Sequence, residues 1–290
     1  MNARLIAIDL DGTLFAPGGT VSAANVRAIE AARTAGHRVV IATGRSWLES
    51  REAREALAKS FGEGDVLIGA GGAVLSDFRS GRTLERRTLD VELSTAVARC
   101  MLDHGHPAQL LQDPDPTDLD YLLVGEDLDP TVMWWLDRYR QRTRASKDVP
   151  APAELGHTVR VGTVLAASRI GEVARQLRED LGDRLVMHHW RAVAPTPDHP
   201  DPPELVEAFA PRTSKWTQIE RLCAKWEIDP EDTVAIGDGL NDLEMVASAG
   251  VGIAMGNADP RVVAVANLTT GSNRDDGVAQ ALAAIVEGRW

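Results

Sequence analysis

The chain has 290 residues, of which 44% are hydrophobic and 26% charged, and its formal net charge is −12. This composition supports a packed core and argues against disorder, while the length leaves one large domain or two smaller ones open. The negative charge disfavours nucleic acid or an anionic membrane surface as a partner, and no apolar run reaches membrane-spanning length. A small phosphorylated substrate remains compatible, because a local metal and a lysine outweigh the global field. Met1 to Arg4 run straight into a strand without a secretory pattern, so a cytoplasmic location is expected. Cys100 and Cys223 are far apart, and both fall in apolar helical patterns, which predicts buried free thiols.

The first element is a strand, Leu5-Ile6-Ala7-Ile8, running into Asp9-Leu10-Asp11-Gly12. Four uninterrupted apolar residues read as a strand buried on both faces of a parallel sheet. Residues 15–19 read as a loop. Ser22 can cap a helix to Ala35, which Gly36 ends. Residues 38–42 form a second buried strand that stops at Thr43-Gly44-Arg45, and a helix then runs to about Lys59. A third strand, residues 65–68, ends in Gly69-Ala70-Gly71-Gly72. Strand alternating with helix predicts a doubly wound, Rossmann-like α/β sheet.

From about Arg79 the pattern changes. Residues 82–89 alternate polar and apolar, a loop carries Pro114 and Pro116, and strands are predicted at 121–124, 158–166 and 184–191. Helices are predicted at 94–103, 130–142 and 171–181. This stretch reads as an inserted α+β cap domain over residues 79–204, ending in the proline-rich segment 195–203. The core then comprises residues 1–78 and 205–290. Its second part contains a helix capped by Ser214, a buried strand at 233–238, a short helix at 241–249, a strand at 252–255, and a helix near 261–266. A brief strand at 268–270 and a C-terminal helix complete it.

Acids and small polar residues recur at the strand ends, where open α/β sheets place their ligands. Asp9 and Asp11 share one side of the first strand if it persists that far. They are either a solvated turn or a pair of carboxylates needing a cation between them, for which Mg²⁺ is suited. Thr43 can cap the following helix, and Asp242 lies in a helix first turn where an acid is favourable. Lys215 is different. Lysine occurs only at 59, 147, 215 and 225, and at 215 it opposes the helix dipole, which a nearby anion explains better than the alternative, an exposed neutral position.

Asp9-Leu10-Asp11-Gly12-Thr13-Leu14, Thr43-Gly44-Arg45, Lys215 and Gly237-Asp238-Gly239-Leu240-Asn241-Asp242 resemble the four motifs of the haloacid dehalogenase superfamily. Ala254-Met255-Gly256-Asn257-Ala258 and Asp276-Gly277-Val278-Ala279 are similar to its Cof-type phosphatase branch. The resemblance implies Mg²⁺-dependent hydrolysis of a small phosphate monoester, such as a sugar phosphate, through an aspartyl-phosphate. It implies Asp9 as nucleophile and Asp11 as acid and base. Asp9, Asp11 (through its backbone carbonyl) and Asp238 would hold Mg²⁺, with Asp242 orienting the metal site. Thr43, Gly44, Lys215 and Asn241 would bind phosphate. A phosphosugar mutase on the same fold is the rival enzyme, and a phospho-accepting signalling module the non-enzymatic alternative.

The sequence departs from the branch after the third strand, where Gly71-Gly72 replaces the usual Asn-Gly, and at Trp216, where Gly often follows the lysine. In the insertion, Trp134, Trp135 and Trp190 could stack on a sugar or aromatic ring, although their spacing favours core positions. His188 and His189 alternate on a strand, so at most one faces a site. The oligomeric state is not legible in the sequence.

Overall fold

The computed structural model describes residues 5–191 and 203–290. The proline-rich segment in which the sequence puts the end of the insertion falls almost entirely outside them. The chain forms two compact units: Met1–Glu85 with Ser214–Trp290, and Arg86–Thr213.

The first unit is built on an eight-stranded sheet. Its order is Leu268–Thr269, Val251–Ala254, Thr233–Gly237, Leu5–Ile8, Arg38–Ala42, Val66–Gly69, Val74–Asp77 and Thr83–Arg86. Leu5–Ile8 lies in the interior, parallel to both neighbours, with Ile8 opposite Ile41 and Ile236. Its unbroken apolar run follows from burial on both faces. Ile6 and Ile8 pack with Ile29 and Ala32 of helix Ala23–Thr34 and with Val278 and Leu282 of helix Gly277–Val286. Leu5 and Ala7 pack with Ile219 and Leu222 of helix Lys215–Trp226 and with Met245 of helix Leu243–Ser248. Each fully buried Leu or Ile stabilises the fold by roughly 1.5–3 kcal/mol relative to exposure. The sheet is therefore doubly wound, with helices packed on both faces.

The helix starts follow local chemistry. Ser22 accepts the Asn25 amide at 3.1 Å, and Gly36 takes a positive φ of 96° just beyond the C-terminus of that helix. Two expectations change. Residues 15–19 are not a plain loop, because Phe15–Ala16 pairs antiparallel with Thr20–Val21. The helix after Arg45 is shorter than the pattern suggests, a turn at Leu48–Ser50 followed by Arg51–Ala56.

The second unit carries a six-stranded sheet ordered Thr143–Ser146, Tyr121–Val124, Ala108–Gln112, Thr158–Ala166, Pro203–Phe209 and Val186–Arg191. Helices Val91–Asp103 and Ala167–Leu181 cover one face, where Val97, Met101, Val173 and Leu177 meet Leu110, Leu122, Val161 and Val206. Two of its strands escape the sequence reading. Ala108–Gln112 is flanked by prolines and reads as loop, and Thr143–Ser146 is a polar strand at the sheet edge.

The unit boundaries also differ from 78/79 and 204/205. Thr83–Arg86 forms the edge strand of the first sheet, whereas Pro203–Phe209 is hydrogen-bonded between two strands of the second. Strand pairing, not composition, sets those limits. Cys223 is buried, but Cys100 is only half-buried, with its thiol 3.4 Å from Asp180 Oδ2. Trp134 is 57% exposed and so is not core, while Trp135 packs on Tyr139 at 4.8 Å between ring centroids. His189 Nε2 is 2.8 Å from Glu204 Oε2, and His188 packs on the Phe209 ring. Among the described residues, no helix is long and apolar enough to cross a membrane.

Candidate active site

Asp9 follows the interior strand directly, and its amide donates to Ile236 O at 3.1 Å, so the strand ladder fixes its backbone. The next residues form a wide irregular turn, Leu10–Leu14, closed by the Leu14 amide donating to Asp9 O at 3.2 Å. The turn depends on Gly12. Its φ is +80°, and a Cβ there would lie 2.1 Å from Asp238 Oδ2. The close approach brings the first motif against Asp238, beyond the end of the parallel strand Thr233–Gly237. Thr13 Oγ1 donates to Asp238 Oδ1 at 2.7 Å. Asn257 Nδ2 donates to Gly12 O at 2.8 Å and reaches Asp238 Oδ2 at 3.3 Å, tying the two segments together.

Lys215 enters from the first position of its helix. Ser214 and Thr217 cap that helix reciprocally, each side chain accepting the other's backbone amide at 3.1 Å. Gly72 supports the same point from the third-strand loop: its φ is +101°, and a Cβ would fall 2.0 Å from Ser214 O. The departure from Asn-Gly thus keeps the glycine at the position where the backbones touch. Lys215 is 1% exposed. Its Nζ donates to Asp9 Oδ1 at 2.5 Å and to Asp242 Oδ1 at 2.6 Å. The anion inferred from its unfavourable helix position is therefore a pair of buried carboxylates.

Asp242 is fully buried, and its other oxygen accepts the amides of Asp238 and Gly239, both at 3.0 Å. Asp9, Asp238 and Asp242 each bring an oxygen within 4.8 Å of the others, against the single ammonium of Lys215. The electrostatics record this excess of acid. Burial, then the Asp242 charge, hold the Asp9 carboxyl well above the usual carboxylate range, although Lys215 opposes them. Burial and Asp242 push Asp238 up to about 7, while the Thr13 hydrogen bond pulls it down. Burial alone would lower Lys215; the charges of Asp242 and Asp9 outweigh it and raise its pKa. Carboxylates that resist ionisation side by side suit a divalent cation, and Asp9 and Asp238 could hold one. Both Asp242 oxygens are already engaged by Lys215 and backbone amides.

Asp11 points elsewhere. Its carboxylate is half-exposed, and both oxygens are gripped by Arg45, Nη2 to Oδ1 at 2.6 Å and Nε to Oδ2 at 2.8 Å. Thr43 is fully buried beyond the end of Arg38–Ala42; its amide donates to Ile68 O, and its hydroxyl accepts the Arg45 amide at 3.1 Å. Gly44 lies between these two residues. Asn241 sits in the turn Leu240–Asp242, next to the buried Asp242. The structure thus gathers Asp9, Lys215, Asp238 and Asp242 into one contact network and sets Asp11, Thr43, Gly44 and Asn241 at adjacent strand ends. Thr13, Arg45 and Asn257 have no role legible in the sequence: all three stand inside the motifs, but their hydrogen-bond partners are distant in sequence.

A family model for haloacid dehalogenase-like hydrolases matches residues 6–282. The chain is 27% identical to pyridoxal phosphate phosphatase YbhA of Escherichia coli over 285 residues, covering 97% of each chain. It is 28% identical to 5-amino-6-(5-phospho-D-ribitylamino)uracil phosphatase YcsE of Bacillus subtilis over 283 residues, covering 97% of this chain and 95% of that one. Its fold matches the crystal structure of a haloacid dehalogenase-like hydrolase from Bacteroides thetaiotaomicron with a TM-score of 0.76 at 24% identity, over 97% and 99% of the two chains. With the motifs joined at one sheet edge and the family model matched along almost the whole chain, this protein belongs to the haloacid dehalogenase-like hydrolases.

Proposed function

We propose that the protein is a Mg²⁺-dependent phosphatase that hydrolyses a small phosphorylated metabolite through an aspartyl-phosphate on Asp9. The observation that carries this reading is the buried Asp9 carboxylate, held by Lys215 Nζ at 2.5 Å and crowded by Asp238 and Asp242. A nucleophilic carboxylate needs a fixed direction and neutralised surroundings, and this one has a fixed direction. The full-length relatives named as phosphatases of pyridoxal phosphate and of a phosphoribitylaminouracil support the substrate class, a phosphate monoester on a compact organic group.

In this reading an Asp9 oxygen attacks phosphorus as the bond from phosphorus to the ester oxygen breaks. The Asp11 carboxyl gives its proton to that oxygen, and the alcohol leaves. The Asp11 carboxylate then takes a proton from water, whose oxygen attacks phosphorus; the acyl-phosphate bond breaks, returning Asp9 and inorganic phosphate. Thr43, the Gly44 amide, Lys215 and Asn241 hold phosphate oxygens. Asp9, Asp238 and the Asp11 backbone carbonyl would hold Mg²⁺, and Asp242 orients Asp238 through its backbone amide. When bound, Mg²⁺ neutralises negative charge on the nucleophile and the phosphoryl oxygens. The test is phosphate release from a panel of phosphorylated sugars, nucleotides and cofactors with and without Mg²⁺. Metal-dependent release from a subset is expected; none from any compound contradicts the proposal.

A further inference from the structure

We infer that Arg45 is a positioning residue: its guanidinium fork anchors the Asp11 side chain, so that one oxygen stays bound to Arg45 while the other turns to deliver a proton to the leaving oxygen. The inference rests on the phosphatase reading above and adds to it a residue with no assigned role. Asp11 needs such a device. Its side chain is 52% exposed, on an irregular turn beside Gly12, so little packing restricts its rotamer.

Arg45 is fixed where Asp11 is not. Its side chain is only 14% exposed. Its amide donates to Thr43 Oγ1 at 3.1 Å, and its carbonyl accepts the Ala70 amide at 2.8 Å. Nη1 donates to Glu49 O at 2.9 Å, and the guanidinium lies 5.1 Å from the Phe15 ring centroid. The remaining edge of the fork, Nε and Nη2, takes both Asp11 oxygens. Exposed ion pairs usually contribute little, but a planar fork anchored at its far edge fixes both the position and the plane of a carboxylate. When one Asp11 oxygen turns to the leaving group, the other can keep its Arg45 bond. A lysine in this place would keep the charge and lose the plane.

The test uses leaving groups of different basicity. p-Nitrophenolate departs without a proton, whereas an alkoxide needs one, and kcat/KM reports the steps through its departure. Wild type, Arg45→Met, Arg45→Lys, Asp11→Asn and the Arg45→Met/Asp11→Asn double variant are assayed in Mg²⁺ on p-nitrophenyl phosphate and on a simple alkyl phosphate. With folding checked by circular dichroism, both Arg45 variants should lose about 100-fold in kcat/KM on the alkyl phosphate, a typical acid-catalysis factor, and less than about threefold on p-nitrophenyl phosphate. The double variant should be no slower on the alkyl phosphate than Asp11→Asn alone. Equal losses on both substrates, or additive losses in the double variant, would overturn the inference while leaving the phosphatase reading intact. No hydrolysis of either compound by the wild type would overturn both.

Discussion

Lys215 and Asp242 form a fully buried ion pair at 2.6 Å, and the same ammonium is shared with Asp9 at 2.5 Å. One cation thus binds the nucleophile candidate to the residue that orients the Asp238 backbone. A buried pair stripped of one partner leaves an uncompensated charge, which typically costs about 3–5 kcal/mol. Lys215→Met should therefore lower stability by roughly that amount and abolish turnover. Urea denaturation of the purified variant measures the first effect; a midpoint equal to wild type would contradict the burial of this pair.

Asp242 would act on the proposed metal site through hydrogen bonds. Its Oδ2 accepts the Asp238 and Gly239 amides, which aims the loop carrying Asp238. Asp242→Asn removes the charge beside Lys215 and weakens that loop. Residues that orient metal ligands typically contribute 10–100-fold in affinity. The Mg²⁺ concentration for half-maximal activity should rise by about that factor, and an unchanged Mg²⁺ requirement would count against the orienting role.

Gly72 is a backbone contact point. Any side chain there meets Ser214 O at 2.0 Å and must adopt a φ of +101°. Gly72→Ala should cost about 1–3 kcal/mol and shift the Lys215 helix start, lowering kcat more than KM. Thermal unfolding together with steady-state kinetics checks both parts.

The second unit has a pH-dependent readout of its own. Burial first, and then the hydrogen bond to Asp180, push the Cys100 thiol up to about 11. A thiol raised in this way is protonated at neutral pH, and only the thiolate is nucleophilic. Alkylation of Cys100 by iodoacetamide should be slow at pH 8 and rise about tenfold per pH unit until pH approaches 11. Peptide mass mapping gives the rates; fast labelling at pH 8 would show that partial burial beside Asp180 does not raise this thiol.

The core was legible in the sequence because its signals are local. Leu5–Ile8 and Arg38–Ala42 are unbroken apolar runs, and the acids and Thr43 stand at their ends. Lys215 was conspicuous because it is rare and opposes its helix dipole. Ala108–Gln112 and Thr143–Ser146 were not legible: one is hidden among prolines, and the other is an edge strand with no apolar face. The pairing of Pro203–Phe209 depends on strands beginning at Thr158 and Val186, a non-local fact that composition cannot carry. The Arg45–Asp11 and Asn257–Gly12 contacts join residues 34 and 245 positions apart, so both motifs could be read without the bonds between them.

In the proposed mechanism Asp9 carries the phosphoryl group during turnover. The most direct measurement is rapid acid quenching of the enzyme during turnover of a phosphate monoester in Mg²⁺, followed by peptide mass spectrometry, for wild type and Asp9→Asn. An acid-stable, base-labile phosphate is expected on the peptide containing Asp9 in the wild type, and neither phosphopeptide nor phosphate release in Asp9→Asn. Phosphate release by Asp9→Asn at a rate close to wild type would contradict this mechanism.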